Sequence, residues 1–273
     1  TGVTCEVGYD MKRLGAIRVM LVVDPNLTDS EPTSIVLEAL RTERIDAVLY
    51  DRVHTEPTDV SFKEAIQFAL DGDFDGYVAI GGGSTMDTAK VANLYATYPA
   101  EFIAYVNAPI GQGHPVPGPL QPLIAVPTTA GTGSETTGVA IFDHLEMHAK
   151  TGIADRALRP VMGVVDPNNT RTLPRTVAAC TGFDVLCHAL ESLTALPYHQ
   201  RPAPVHPGAR PAYQGANPIS DVWAARAIEL VSQNMMHAIE DPGNDAARGQ
   251  MLLGASFAGI GFGNAGVHLP HAM

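Results

Sequence analysis

Tyr77-Val78-Ala79-Ile80-Gly81-Gly82-Gly83-Ser84 decides the fold. Four apolar residues of strand-forming character break straight into three glycines, and a helical pattern follows without a linker. That strand, turn and helix is the unit from which parallel α/β sheets are wound. The flanking sequence repeats the alternation. Ile17 to Val23 reads as a strand closing at Asp24-Pro25, Pro32 to Arg44 as a helix, and Ala47 to Tyr50 as the next strand. Thr58-Asp59 starts a helix whose apolar stripe is Phe62, Ile66 and Phe68-Ala69, and Leu123 to Val126 is a further strand running into Pro127-Thr128-Thr129. The expected class is α/β: an N-terminal doubly wound parallel-sheet (Rossmann-like) domain over residues 1–172, with ligands bound beyond the carboxyl ends of its strands.

Past Asp166-Pro167 the strand signals stop, and residues 173–273 read as an all-helical domain. Trp223, Ala227 and Leu230 share one helical face, with Ile228, Val231 and Met235 on an adjoining one, and either Asn217-Pro218 or Ser220-Asp221 starts that helix. Met251 to Phe262, rich in Gly, Ala and large apolar residues, suits a closely packed central helix. There is no internal repeat, and Pro202 to Pro211 is the only low-complexity stretch.

With 273 residues, 45 % of them hydrophobic and 17 % charged, the chain has ample material for two cores. A net charge of −12 and the lack of any basic cluster argue against nucleic-acid or anionic-membrane partners. Three cysteines, Cys5, Cys180 and Cys187, do not make a disulfide framework. A reducing compartment is expected, the cytoplasm or, if a leader precedes Thr1, the mitochondrial matrix. No apolar run has membrane-spanning length.

Two loops have the composition of a dinucleotide clamp. Gly82, Gly83 and Ser84 open a helix, where glycines permit positive φ or close backbone approach and unpaired N–H groups can meet a phosphate. The run is neither G-x-G-x-x-G nor a Walker motif, so a plain strand-to-helix turn is the competing reading. Thr128, Thr129, Thr132 and Ser134 add hydroxyls in a second glycine-bearing loop. Asp24, closing the first strand, sits where an acid can bind a ribose hydroxyl, or is simply a turn aspartate.

Asp184 and His188 are four residues apart on a predicted helix and project from one face, so they can share a cation. His268 and His271 follow the turn-like run Gly263-Asn264-Ala265-Gly266, and either can complete the set. One carboxylate with imidazoles suits Fe²⁺ or Zn²⁺, and an open coordination position makes such an ion a Lewis acid. Beside a nicotinamide, the expected chemistry is hydride transfer at an alcohol carbon. Between these elements Tyr198, His199, Arg201, His206, Arg210 and Tyr213 gather in an otherwise acidic chain, and Arg201 or Arg210 is the expected anchor for a substrate carboxylate.

The segments GGGSTMDTAK (81–90), AVPTTAGTGSE (125–135), TGFDVLCHALES (181–192) and GFGNAGVHLPHAM (261–273) resemble the iron-containing (group III) alcohol dehydrogenase family. The resemblance implies a dehydroquinate synthase-like architecture, and a homo-oligomer is expected. It implies metal ligands at Asp184, His188 and His271, which would act catalytically through the metal, with His271 chosen over His268 by the register of Asn264-Ala265-Gly266. The family's last ligand histidine is expected beyond Met273, and the family's first strand before Thr1. Cofactor contacts carry over to Asp24, Gly82, Gly83, Ser84, Thr128, Thr129, Thr137 and Lys150. Asp24 would oppose a 2′-phosphate, which favours NAD(H), tightly bound, over NADP(H). TTAGTGSETTGVAIFD, GFDVLCHALES and RPAYQGANPISD resemble a branch that passes hydride between a hydroxy acid such as 4-hydroxybutanoate and an oxo acid such as 2-oxoglutarate. The alternatives are an NAD-dependent alcohol dehydrogenase, a maleylacetate reductase, or a non-catalytic dinucleotide- or metal-binding module.

Overall fold

The computed structural model describes residues 1–205 and 210–272, so His206 lies outside the described residues. The chain forms two compact units: Thr1–Thr128 with Gly138–Asn169, and Thr129–Thr137 with Thr170–Met273. By number alone Thr129–Thr137 falls within 1–172, yet it packs with the helices. Ser256 Oγ donates to Glu135 Oε1 at 2.6 Å, and Gly133, at φ 62°, lies so close to Ala255 and Gly259 that a side chain there would collide with backbone.

The first unit runs α1 (Val7–Arg13), β1 (Arg18–Val23), α2 (Glu31–Thr42), β2 (Asp46–Tyr50), α3 (Asp59–Gly72), β3 (Gly76–Gly81), α4 (Gly83–Thr97), β4 (Leu123–Pro127), β5 (Val139–His144), β6 (Ala149–Ala154) and β7 (Met162–Gly163). Its main sheet has the order β2-β1-β3-β4-β7, parallel throughout. Val19, Leu21, Val78 and Ile80 face α1 and α2, while Met20, Val22, Tyr77 and Ala79 face α3 and α4. Both faces are therefore covered, which is why these strands are near-continuous apolar runs rather than alternating ones. The order reverses between β1 and β3, and there Asp24 N donates to Ile80 O at 3.1 Å. That crevice is where doubly wound sheets bind ligands.

The β5–β6 antiparallel hairpin was absent from the sequence reading. Ala140, Phe142 and Ile153 pack on Phe62, Val91, Leu94 and Tyr95, covering the outer side of α3 and α4. Asp87 Oδ2 accepts from Ile141 N at 2.9 Å, and the buried Lys90 ammonium donates to Val139 O at 2.9 Å, so two charged residues of α4 hold the first strand of the hairpin.

The second unit consists of α5 (Arg175–Thr194), α6 (Pro218–Glu240), α7 (Asp245–Ala265) and α8 (Leu269–Ala272), with the 129–137 loop on α7. Asn217 is the N-cap of α6: its side chain accepts from Ile219 N and Ser220 N, resolving the two candidate starts. Gly254, Ala255, Ala258, Gly259 and Gly261 are buried on α7, as expected of a helix whose neighbours approach closely. That helix continues through Gly263, Asn264 and Ala265, which the sequence suggested as a turn. The helix ends one residue later, at its C-cap Gly266, whose positive φ of 100° favours glycine. Among the described residues no helix is long and apolar enough to cross a membrane.

Helix α3 shows how local signals set a boundary. Thr58 Oγ1 accepts from Ser61 N at 3.1 Å, and Ser61 Oγ accepts from Thr58 N at 2.9 Å. This reciprocal cap satisfies two N–H groups at the helix start. Thr58→Ala should cost about 1 kcal/mol of stability in urea unfolding, with Thr58→Ser near the parent value.

Candidate functional site

Asp184, His188 and Glu191 occupy positions i, i+4 and i+7 of α5, and therefore one face. His188 is 6 % exposed, its ring stacked between Phe262 (centroids 4.1 Å apart) and His271 (4.2 Å). Its Nδ1 lies 3.6 Å from Asp184 Oδ1 and has no hydrogen-bond partner among the described residues. A buried imidazole nitrogen left without a partner is costly unless something else satisfies it.

His271 comes from a different element, α8, beyond the helix end at Gly266. Its Nε2 lies 3.3 Å from Asp184 Oδ1, and its Nδ1 bonds Glu191 Oε2. Donor atoms of Asp184, His188 and His271 all fall within 4.8 Å of one another. His268 does not join them. Its Nε2 meets Thr194 Oγ1 at 2.8 Å, and its backbone N donates to Glu191 Oε1 at 3.0 Å. One carboxylate and two imidazoles, one of them with an orphaned buried nitrogen, are a donor set that fits Fe²⁺ or Zn²⁺.

The two imidazoles are driven apart. Burial pushes His188 down to about 4, reinforced by the charge of His271 and opposed by those of Asp184 and Glu191. His271 is raised, first by its bond to Asp184, then through Glu191, against its own burial. A protonated His271 donates from both nitrogens, and the proton on Nε2 occupies the position a cation would take.

In the sheet unit, Asp24 lies at the crevice, its Oδ1 accepting from Asn26 N (2.8 Å) and Asn26 Nδ2 (3.0 Å). Gly82 is the N-cap of α4 at φ −87° with no side-chain cap, so no left-handed backbone is used there. The constraint is on Gly81, where a Cβ would overlap Thr85. Gly83 and Ser84 form the first turn of α4, whose N–H groups point out of the helix start. Thr128 N donates to Gly81 O at 3.0 Å, bringing the end of β4 beside the glycine turn. Lys150, on β6, is half-exposed and pairs with Glu56 and, at 3.8 Å, with Asp143. In the helical unit Thr132 Oγ1 accepts from Ser134 N at 3.2 Å, Thr137 is buried and Thr129 half-buried.

The two candidate carboxylate anchors differ. Arg201 is half-buried, its Nη1 donating to Tyr213 O at 3.1 Å and its Nε buried without a partner among the described residues. Arg210 is exposed.

The family model for "Iron-containing alcohol dehydrogenase" matches residues 1–167, and that for "Fe-containing alcohol dehydrogenase family, C-terminal" matches residues 212–273. The chain belongs to the iron-containing alcohol dehydrogenase family. It is 58 % identical to the mitochondrial hydroxyacid-oxoacid transhydrogenase of Mus musculus over 100 % of its own length and 59 % of that protein's. It is 56 % identical to the Homo sapiens protein of that name over 99 % of this chain and 58 % of the relative. The chain thus spans under two thirds of the length of these relatives. Among solved structures, it is similar to 1,3-propanediol oxidoreductase, with a TM-score of 0.85 and 28 % identity, covering 97 % of this chain and 64 % of that one. It is likewise similar to sulfoacetaldehyde reductase from Bifidobacterium kashiwanohense in complex with NAD+, with a TM-score of 0.83 and 26 % identity over 98 % of this chain and 65 % of that one.

Glu191 is the residue the sequence reading passed over. The signal was present, because i+3 from His188 and i+7 from Asp184 is the same helical face.

The pH response follows from the two histidines. His188 is depressed from 6.5 to about 4 on folding, so between those values the unfolded chain binds the extra proton and stability falls with pH. His271 is raised, so its contribution is complete below 6.5 and declines only as pH rises through its folded value. In chelator-treated protein the unfolding free energy should fall by roughly 3 kcal/mol between those limits, and His188→Leu should remove most of that slope in denaturant titrations at stepped pH. Zn²⁺ affinity should weaken on acidification from above pH 6.5, as protons compete at His271.

Proposed function

We propose that the protein is a metal-dependent oxidoreductase that moves hydride between a hydroxy acid and an oxo acid through a nicotinamide it retains. The convergence of Asp184, His188 and His271 donor atoms within 4.8 Å carries the reading. The names of relatives at 56 and 58 % identity support the hydroxy-acid and oxo-acid pair, here 4-hydroxybutanoate with 2-oxoglutarate, giving succinic semialdehyde and 2-hydroxyglutarate. The relatives are named as mitochondrial, and the mitochondrial matrix is the compartment proposed for this chain rather than the cytoplasm.

Asp184, His188 and His271 would hold Fe²⁺, or Zn²⁺ in its place. Such an ion supplies Lewis acidity at a substrate oxygen, and the nicotinamide supplies the hydride. His188 suits its part because burial keeps it neutral at physiological pH, with its lone pair available. Phe262, stacked on it, shields that ring from water and fixes its plane. The Gly82–Ser84 helix start and Thr128 would take the diphosphate in the sheet unit. Asp24 would receive ribose hydroxyls and disfavour a 2′-phosphate, which makes NAD(H) the cofactor over NADP(H). Lys150 is assigned to the nicotinamide ribose, for which it must leave Glu56. Arg201 or Arg210 would fork onto the substrate carboxylate.

Incubating the purified enzyme with 4-hydroxybutanoate and 2-oxoglutarate, without added nucleotide, should yield 2-hydroxyglutarate. A strict requirement for added NAD would favour an ordinary dehydrogenase of the same family. Arg210→Ala or Arg201→Ala should reduce oxo-acid turnover roughly 10- to 100-fold while sparing an uncharged alcohol, as expected when one charge-assisted hydrogen bond is lost. Equal losses on both substrates would remove the carboxylate assignment.

A further inference from the structure

We propose that Glu191 is a positioning residue that selects His271, rather than His268, for the metal and fixes which nitrogen of His271 faces it. The proposal rests on the metal-binding reading of Asp184, His188 and His271.

Glu191 is 1 % exposed, so its carboxylate must find donors inside the protein. Among the described residues it accepts or shares three hydrogen bonds, all from one short segment. Oε1 accepts from His268 N at 3.0 Å and His271 N at 3.3 Å, and Oε2 bonds His271 Nδ1. The two backbone bonds pin the segment to α5 in one register. The ring bond commits Nδ1–H, leaving Nε2 as the nitrogen that faces Asp184 Oδ1 at 3.3 Å. In metal sites the bond made by the far ring nitrogen sets the tautomer and orientation of the ligating one.

The same helix disposes of the competing histidine. Thr194, three residues beyond Glu191 on α5, takes His268 Nε2 at 2.8 Å. His268 and His271 are three apart, and a shift of the segment would exchange them. Glu191 holds the backbone of both but hydrogen-bonds the ring of His271 alone, the His268 ring coming only to 3.9 Å (Nδ1 to Oε1), and that difference is what distinguishes them.

The test uses Zn²⁺ affinity by chelator competition, the d–d absorption of bound Co²⁺, and ¹⁵N chemical shifts of labelled histidine. Glu191→Gln keeps the size and one acceptor oxygen but loses the carboxylate. It should weaken Zn²⁺ binding about 10- to 100-fold and alter the Co²⁺ spectrum, while His268→Ala leaves both near the parent values. A Glu191→Gln protein with parental affinity and spectrum overturns the proposal, even if its melting temperature drops. The unsubstituted protein provides a check that no folding defect can obscure. At alkaline pH, where imidazoles are neutral, His271 should carry its proton on Nδ1, and the opposite tautomer overturns the proposal. Asp184→Ala separates this idea from the one beneath it. If that variant binds Zn²⁺ as the parent does, the metal reading itself fails. If it loses Zn²⁺ while Glu191→Gln does not, only the positioning role falls.

Discussion

A carboxylate taken out of water inside a helical bundle constrains everything around it. Removing Glu191 from solvent costs several kcal/mol unless donors replace the water it loses. The replacements come from the backbone and ring of a segment that carries no long helix of its own. That segment is thereby ordered by a polar demand rather than by apolar burial. The result is a histidine delivered to Asp184 and His188 from a different element, across the stacked rings of His188 and Phe262. Two imidazoles in van der Waals contact then have opposite proton affinities, because one is enclosed by apolar and aromatic atoms and the other is bonded to two carboxylates.

The sheet unit solves a different problem. Its strands are apolar on both faces, so their polar features collect at the carboxyl ends, where the strand order reverses between β1 and β3. Asp24, the glycine turn and Thr128 are held there by backbone bonds, Asp24 N to Ile80 O and Thr128 N to Gly81 O. The open N-terminus of α4 adds oriented N–H groups to the same place. Nothing about this arrangement depends on left-handed glycine. Gly81 is small because Thr85 occupies the space a side chain would need.

Much of this was legible in the residues, since buried parallel strands and capped helices carry strong local signals. β1 to β4 and α2 to α4 lie where periodicity and punctuation put them. The pairing of Asp184 with His188 needs only helical geometry. The hairpin of β5 and β6 was hidden because its alternation, Val139 to His144, is half-buried and framed by glycine and charge rather than by a turn signature. The end of α7 was misjudged because Gly263 and Asn264 look like breakers, whereas close packing around a glycine-rich helix tolerates them. Glu191 went unnoticed because a glutamate in a helix reads as solvated, and its burial depends on a segment eighty residues away.

The nine residues Thr129–Thr137 lie between two stretches of the sheet unit in sequence yet dock on α7. The polypeptide passes from one unit to the other three times rather than once. Neither half is a contiguous piece of chain. A chimera joined near residue 170 would therefore inherit a threonine-rich loop grown to fit a different parent's α7. Glu135 and Gly133 would have to be exchanged together with Ser256 and Gly259 for the graft to seat.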